Sequence, residues 1–143
     1  MNVQNMLLPS EKQLIEMGKP GPDGPICMVN LLKYKERAEY EDGRETSLSG
    51  AEAYAIYGAA VLELMGDFGA SLGFSGAVSN IMLGEVEEPW DSIALAYYPS
   101  RAKMIEMFMS PVFQEISVHR AAGLAGQLNI ETSGLVGSWL NQS

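Results

Sequence analysis

A single cysteine, Cys27, and a single histidine, His119, are all that this 143-residue chain offers of thiol and imidazole. Together they cannot build a usual zinc site, and no calcium-loop pattern gathers the carboxylates. One thiol permits no intrachain disulfide. Basic residues are scarce as well: nine Lys and Arg against eighteen Asp and Glu give a net charge of -9, without the clustered positive surface that nucleic acid needs. No apolar run approaches the ~20 residues of a membrane helix. The opening stretch Met1 to Ser10 has no basic region and only a short apolar one, unlike a secretory leader. A phosphate-cradling glycine motif and a nucleophile elbow are also missing. The expectation is a cytoplasmic protein that holds no metal or cofactor and partners neither nucleic acid nor membrane.

What is present is globular. A hydrophobic content of 47% with 19% charged residues suits one domain with a core of its own, without covalent staples. Ser10-Glu11-Lys12-Gln13 reads as a capping box that opens a short helix closed by Gly18 and Pro20. Residues 1–24 therefore form an N-terminal helix and a Pro- and Gly-rich linker. Pro25 to Lys35 is a nearly continuous apolar run of strand length, and charged residues centred on Asp42-Gly43 follow it as a loop. Ser49-Gly50-Ala51-Glu52 is a second capping box, after which Tyr54, Tyr57, Val61, Leu64, Met65 and Phe68 mark one face of an amphipathic helix. Ala70 to Val78 alternates as a strand, with Ile81-Met82-Leu83 continuing it and a bulge or close approach at Gly73 and Gly76. Ser92 to Tyr98 completes the hairpin.

A helix starts at Ser100 and breaks at Ser110-Pro111, where Pro111 opens another that places Phe113, Ile116, Arg120 and Leu124 on one stripe. Gln127 to Thr132 is the last strand. Residues 133–143 are a tail with two apolar pairs, read as a docked segment or a dimer arm. The order of the 25–132 unit is strand, helix, strand, strand, helix, strand. This predicts an α+β, ferredoxin-like βαββαβ fold with an antiparallel sheet and both main helices on one face.

Alternation in the first strand sends Ile26, Met28, Asn30, Leu32 and Tyr34 to one side and Cys27, Val29, Leu31 and Lys33 to the other. We assign the second group to the helices and the Asn30 group to the far face. An exposed face of that kind forgoes roughly 1.5–3 kcal/mol per large side chain. A second copy of the chain is the economical cover, since homodimers are the commonest oligomers.

The segments Met28 to Lys35, Tyr54, Tyr57-Gly58, Phe74-Ser75-Gly76, Trp90-Asp91, Tyr98-Pro99-Ser100-Arg101, His119-Arg120 and Gly123-Leu124-Ala125 have a recognisable order and spacing. They resemble an uncharacterised bacterial domain family of the dimeric α+β barrel superfamily, from about Pro25 to Thr132. The resemblance implies a homodimer whose two sheets face each other, with a pocket between each sheet and its surroundings. Related barrels include cofactor-independent monooxygenases, muconolactone-type isomerases and haem-dependent enzymes. The N-terminal helix occurs in some members only, and the tail falls outside the pattern.

Candidate site residues follow from chemistry. Asn30 is an amide in an apolar run, suited to orient a ligand's carbonyl or hydroxyl, or else bonded to neighbouring backbone. Tyr54 and Tyr57 share a helix face, where their hydroxyls meet one polar group or simply reach water. Ser75 beside Gly76 exposes N–H groups to an oxyanion, or marks a plain bulge. Arg101 and Arg120 suit a carboxylate, with a bridge to a partner chain as the other use of Arg120. His119, with Glu115 a turn earlier, is the candidate catalytic base, or half of a surface ion pair. A haem role would rest on His119 alone, and Cys27 is read as a small buried hydrophobe. Two functional readings remain. One is a metal-independent small-molecule enzyme performing proton transfer, isomerisation or cofactor-free oxidation; the other is a non-catalytic ligand-binding or structural homodimer.

Overall fold

The structure is a computed structural model, and it describes residues 2–141. Met1 of the N-terminal segment and Gln142 and Ser143 of the tail lie outside the described residues. Four serines start the helices. Ser10 Oγ accepts from the Gln13 backbone N–H while the Gln13 side-chain Oε1 accepts from the Ser10 N–H, closing the capping box of α1 (Glu11–Met17). Ser49 and Glu52 do the same for α2 (Gly50–Gly66). Ser100 caps α3 (Arg101–Phe108), and Ser110 caps α4 (Pro111–Gly123), whose first residue is the proline that needs no N–H partner there.

The strands are β1 (Ile26–Tyr34), β2 (Ser71–Ala77), β3 (Ser92–Tyr98) and β4 (Leu124–Thr132), in the order β2-β3-β1-β4 with every neighbour antiparallel. This is the α+β ferredoxin-like arrangement expected, with β1 central. Two boundaries differ from expectation. β4 begins at Leu124 rather than Gln127, because Gly123 O accepts from the Lys35 N–H at 2.8 Å and a register shift at Lys33/Tyr34 brings Leu124 opposite Tyr34. Leu124 is thereby fully buried in the sheet, and not a member of the α4 stripe. Ile81-Met82-Leu83 do not extend β2. The Val78 N–H bonds to Asp91 O, one residue before β3 begins, so the chain beyond has no strand to pair with, and Met82 and Leu83 stand 87% and 96% exposed.

The face assignment is reversed. Ile26 and Met28 pack with Ala96 and Tyr98 against Leu64 and Met65 of α2 and Met104 and Met107 of α3, so the Asn30 group lies under the helices. The alanines of β3 explain why: opposite Met28 and Asn30 the register places Ala96 and Ala94, whose small side chains leave room for the bulky helix residues. The other face carries Val29, Leu31, Ile93, Leu95, Leu128, Ile130 and Phe74 in paired rows, with Ile130 and Phe74 about half exposed. Cys27 is on this face, buried, not beneath the helices.

Gly73 is the bulged residue of β2, and the ring of Trp139 lies against it: a Cβ there would sit 2.7 Å from the indole. The tail is thus docked on the β2 edge as far as it is described. At the other edge Met6 pairs with Gln127 of β4 through both backbone hydrogen bonds.

α2 and α4 cross at two glycines. A methyl on Gly123 would strike the Gly50 carbonyl and lie 2.8 Å from the Tyr54 nitrogen, whereas Gly58, in mid-α2, has open space around it. Gly123→Ala is therefore expected to cost about 1–3 kcal/mol by overpacking. Gly58→Ala should instead stabilise by about 0.5–1 kcal/mol through helix propensity. Urea unfolding of the two variants checks the contrast, and equal effects would refute the close crossing.

Candidate functional site

Polar residues alternate along β4, and the register sets Gln127 opposite Leu32, Asn129 opposite Asn30 and Glu131 opposite Met28. All three share the face beneath the helices. The Asn30 amide donates to Met28 O at 3.3 Å and Ala94 O at 3.2 Å, and its oxygen accepts from Gln127 at 3.0 Å and Asn129 at 2.6 Å. An asparagine side chain has two N–H donors and two lone pairs, so its capacity is used. Asn30 does not wait for a ligand; it orients Gln127. The Gln127 oxygen in turn accepts from Arg120 Nε at 3.2 Å and Nη2 at 2.6 Å, and Nη2 also donates to Leu7 O at 3.0 Å.

A run of aromatic rings joins β1, α2, α4, α3 and β3. Tyr34 and Tyr54 lie 5.5 Å apart between ring centres, Tyr54 and Tyr57 5.3 Å, Tyr57 and Phe113 6.1 Å, Phe113 and Phe108 4.9 Å, and Phe108 and Tyr98 6.3 Å. The Tyr34 hydroxyl is bonded to Ser92 Oγ at 2.6 Å. Those of Tyr54, Tyr57 and Tyr98 have no hydrogen-bond partner among the described residues. No fully enclosed side-chain oxygen or nitrogen there lacks a partner, so these hydroxyls reach a space that solvent enters, although Tyr57 and Tyr98 are only 9% and 5% exposed. Burial raises all three phenol pKa values well above the usual range near 10. Each phenol also feels another: Tyr57 and Tyr34 raise Tyr54, Tyr98 raises Tyr57, and Tyr54 raises Tyr98, while Arg120 pulls Tyr54 and Tyr57 down. The hydroxyls and the guanidinium therefore share one neighbourhood.

Four of the expected residues, Asn30, Tyr54, Tyr57 and Arg120, thus gather between helices and sheet, and three do not join them. Arg101 does grip a carboxylate, but the chain's own. Its Nε and Nη2 each donate to Glu131 at 2.7 Å, while Nη1 donates to Glu16 O and Lys19 O at the end of α1. With four donor bonds made and 9% exposure, it clamps the N-terminal helix to β4 instead of meeting a ligand. His119 is held through Nδ1 by the Tyr40 hydroxyl at 2.7 Å, and its ring meets the Tyr40 ring edge-on. Tyr40, not the expected Glu115, orients the imidazole. A cleft of about 170 Å³ lies alongside, lined by Tyr40, Glu41, Asp42, Val118 and Ala121. Ser75 is exposed on the edge strand β2 opposite Ala94, and no backbone there is in a left-handed conformation. Among the described residues no cluster of His, Cys, Asp and Glu is arranged to hold a metal ion, and no helix is long and apolar enough to cross a membrane.

Sequence reasoning missed Gln127 and Tyr98. The period-two polarity of Gln127, Asn129 and Glu131 was the available signal for the first, once antiparallel pairing with β1 is assumed. Tyr98 needed the correct face of the sheet.

No family model and no curated protein matches the chain. Among solved structures, it is similar to the RPA0582 protein of Rhodopseudomonas palustris, a protein of unknown function, with a TM-score of 0.82 at 30% identity over 94% of this chain and 100% of that one. The methylated form of RPA0582 gives 0.83 at 32% identity over 95% and 99%. An uncharacterised NIPSNAP domain protein from Burkholderia xenovorans shares the fold, with a TM-score of 0.51 at 12% identity over 78% of this chain and 94% of its own.

The raised phenols make a pH prediction. A phenol whose folded pKa exceeds its unfolded value binds its proton more tightly when folded, so its stabilisation is complete below about pH 10 and is lost as pH rises beyond it. Ultraviolet titration of the phenolate band should show Tyr54, Tyr57 and Tyr98 ionising only together with unfolding. Tyr57→Phe should shift that transition upward, and free ionisation of Tyr54, Tyr57 and Tyr98 near pH 10 with the fold intact would contradict the burial.

Proposed function

The chain belongs to the family of the Rhodopseudomonas palustris RPA0582 protein, and we propose that it is a homodimer that binds a small molecule between helices and sheet. One observation carries the ligand site: three tyrosine hydroxyls, on the half-buried Tyr54 and the buried Tyr57 and Tyr98, without a partner among the described residues and within electrostatic reach of one another. A guest that bonds these hydroxyls would displace the solvent they reach, each neutral hydrogen bond being worth about 0.5–1.5 kcal/mol. The aromatic rings supply the apolar walls that small-molecule sites commonly have.

The homodimer rests on the far sheet face. Val29, Leu31, Ile93, Leu95, Leu128, Ile130 and Phe74 form one apolar surface there. A second copy would cover it face to face by two-fold symmetry. The catalytic reading is the weaker one. His119 is its only candidate base, and the hydrogen bond that fixes it runs to Tyr40 in the loop before α2. Non-catalytic binding needs only the groups that the fold has already brought together.

Light scattering should find a dimer at micromolar concentration, and Leu95→Asp should give a folded monomer by circular dichroism; a monomeric parent chain would overturn the dimer. For the ligand site, thermal-shift screening of small aromatic compounds should yield binders. Tyr57→Phe and Tyr98→Phe should each weaken them about 2- to 12-fold, the worth of one neutral hydrogen bond. Binding that neither variant changes would place the site elsewhere.

A further inference from the structure

Arg120 is the unusual cation of this acidic chain. The other shielded cations among the described residues, Lys33, Lys35 and Arg101, each have a carboxylate within 4.0 Å: Glu88, Glu39 and Glu131. Arg120 has none there. It is half-buried, and its partners are the neutral oxygens of Gln127 and Leu7. Its Nη1 group donates to nothing among the described residues. Its charge acts on the phenols of Tyr54 and Tyr57, whose hydroxyls have no partner among the described residues and could donate to a bound anion.

We infer that this site, if it binds a small molecule as proposed above, takes a monocarboxylate with a flat apolar body, which draws the Arg120 guanidinium away from the Leu7 carbonyl. The class follows from charge and shape. A single guanidinium matches one negative charge, and Arg120 lies in the last turn of α4, where the partial negative charge of the helix end supports the cation but opposes a dianion such as phosphate. The rings from Tyr34 to Tyr98 would supply aromatic faces to a planar body.

Binding reaches further through Leu7. The segment before α1 is tied to the domain at three successive residues: the Asn5 side-chain oxygen accepts from Trp90 Nε1 at 2.7 Å, Met6 pairs with Gln127, and Leu7 O accepts from Arg120. α1 itself buries no residue. A carboxylate that competes for Arg120 removes one of the three ties and loosens the strap, and Trp90 reports it.

The test titrates the full chain with benzoate and, separately, with its neutral counterpart benzamide, by calorimetry and by following the indole N–H resonances, with Trp139→Phe to assign Trp90. Benzoate should bind about tenfold or more tighter than benzamide, as a charge-assisted pair predicts, and should shift the Trp90 signal. Arg120→Gln should abolish the preference and Arg120→Lys should keep part of it. Met6→Pro, which removes one backbone tie outside the core, should tighten benzoate. That variant and Arg120→Lys keep the test decisive if Arg120→Gln does not fold. Equal binding of the two probes, or a preference that survives loss of the guanidinium, overturns the carboxylate inference and leaves the pocket standing. A stationary Trp90 signal on benzoate binding overturns the coupling to the strap. Binding of neither probe at millimolar concentration overturns both the inference and the site it rests on.

Discussion

An asparagine whose amide is fully bonded sits at the middle of the central strand, and much of the molecule is arranged about it. Asn30 ties β1 to β3 through Ala94 O and to β4 through Gln127 and Asn129. A one-residue slip of β4 would turn Gln127 and Asn129 to the opposite face and leave the half-buried Asn30 oxygen without its two donors, at roughly 1–3 kcal/mol. The polar contact therefore helps fix the register that the apolar side chains alone specify less sharply. Through that register it aims Gln127 at Arg120, and so positions the one shielded cation without a carboxylate among the described residues near the free tyrosine hydroxyls.

The two arginines show how little residue type says about role. Both looked suited to a carboxylate. Arg101 found one inside the chain, in a two-point grip on Glu131, and joins β4, α3 and the end of α1. Arg120, nineteen positions later in sequence, has only neutral acceptors. What separates them is the alternation of β4, which puts Glu131 beside the first and Gln127 beside the second.

Element order, the capping boxes at Ser10 and Ser49 and the bulge at Gly73 were legible in the sequence because each is a local matter of cap chemistry, periodicity or a missing Cβ. The side of the sheet that meets the helices was not. Both faces of β1 are apolar, so alternation separates them without ranking them, and the deciding feature is the pair of small residues Ala94 and Ala96 on the neighbouring strand. The partner of His119 was hidden for a similar reason. Helical spacing nominates Glu115, while Tyr40 arrives from a loop whose path no local rule gives. Of the site, Tyr54, Tyr57 and Arg120 were readable as chemistry, but their convergence depends on the glycine crossing of α2 and α4.

The reversed faces also give the two sides of the sheet different roles. Beneath the helices lie the polar and aromatic groups proposed for a ligand, and the far side carries the apolar surface proposed to meet a second copy. The most direct test is a crystal structure of the chain grown with a saturating flat aromatic acid. Density bounded by Tyr54, Tyr57, Tyr98 and Arg120, beneath the helices, is the expected result. Density between two copies against Val29, Leu31 and Leu95 would contradict it.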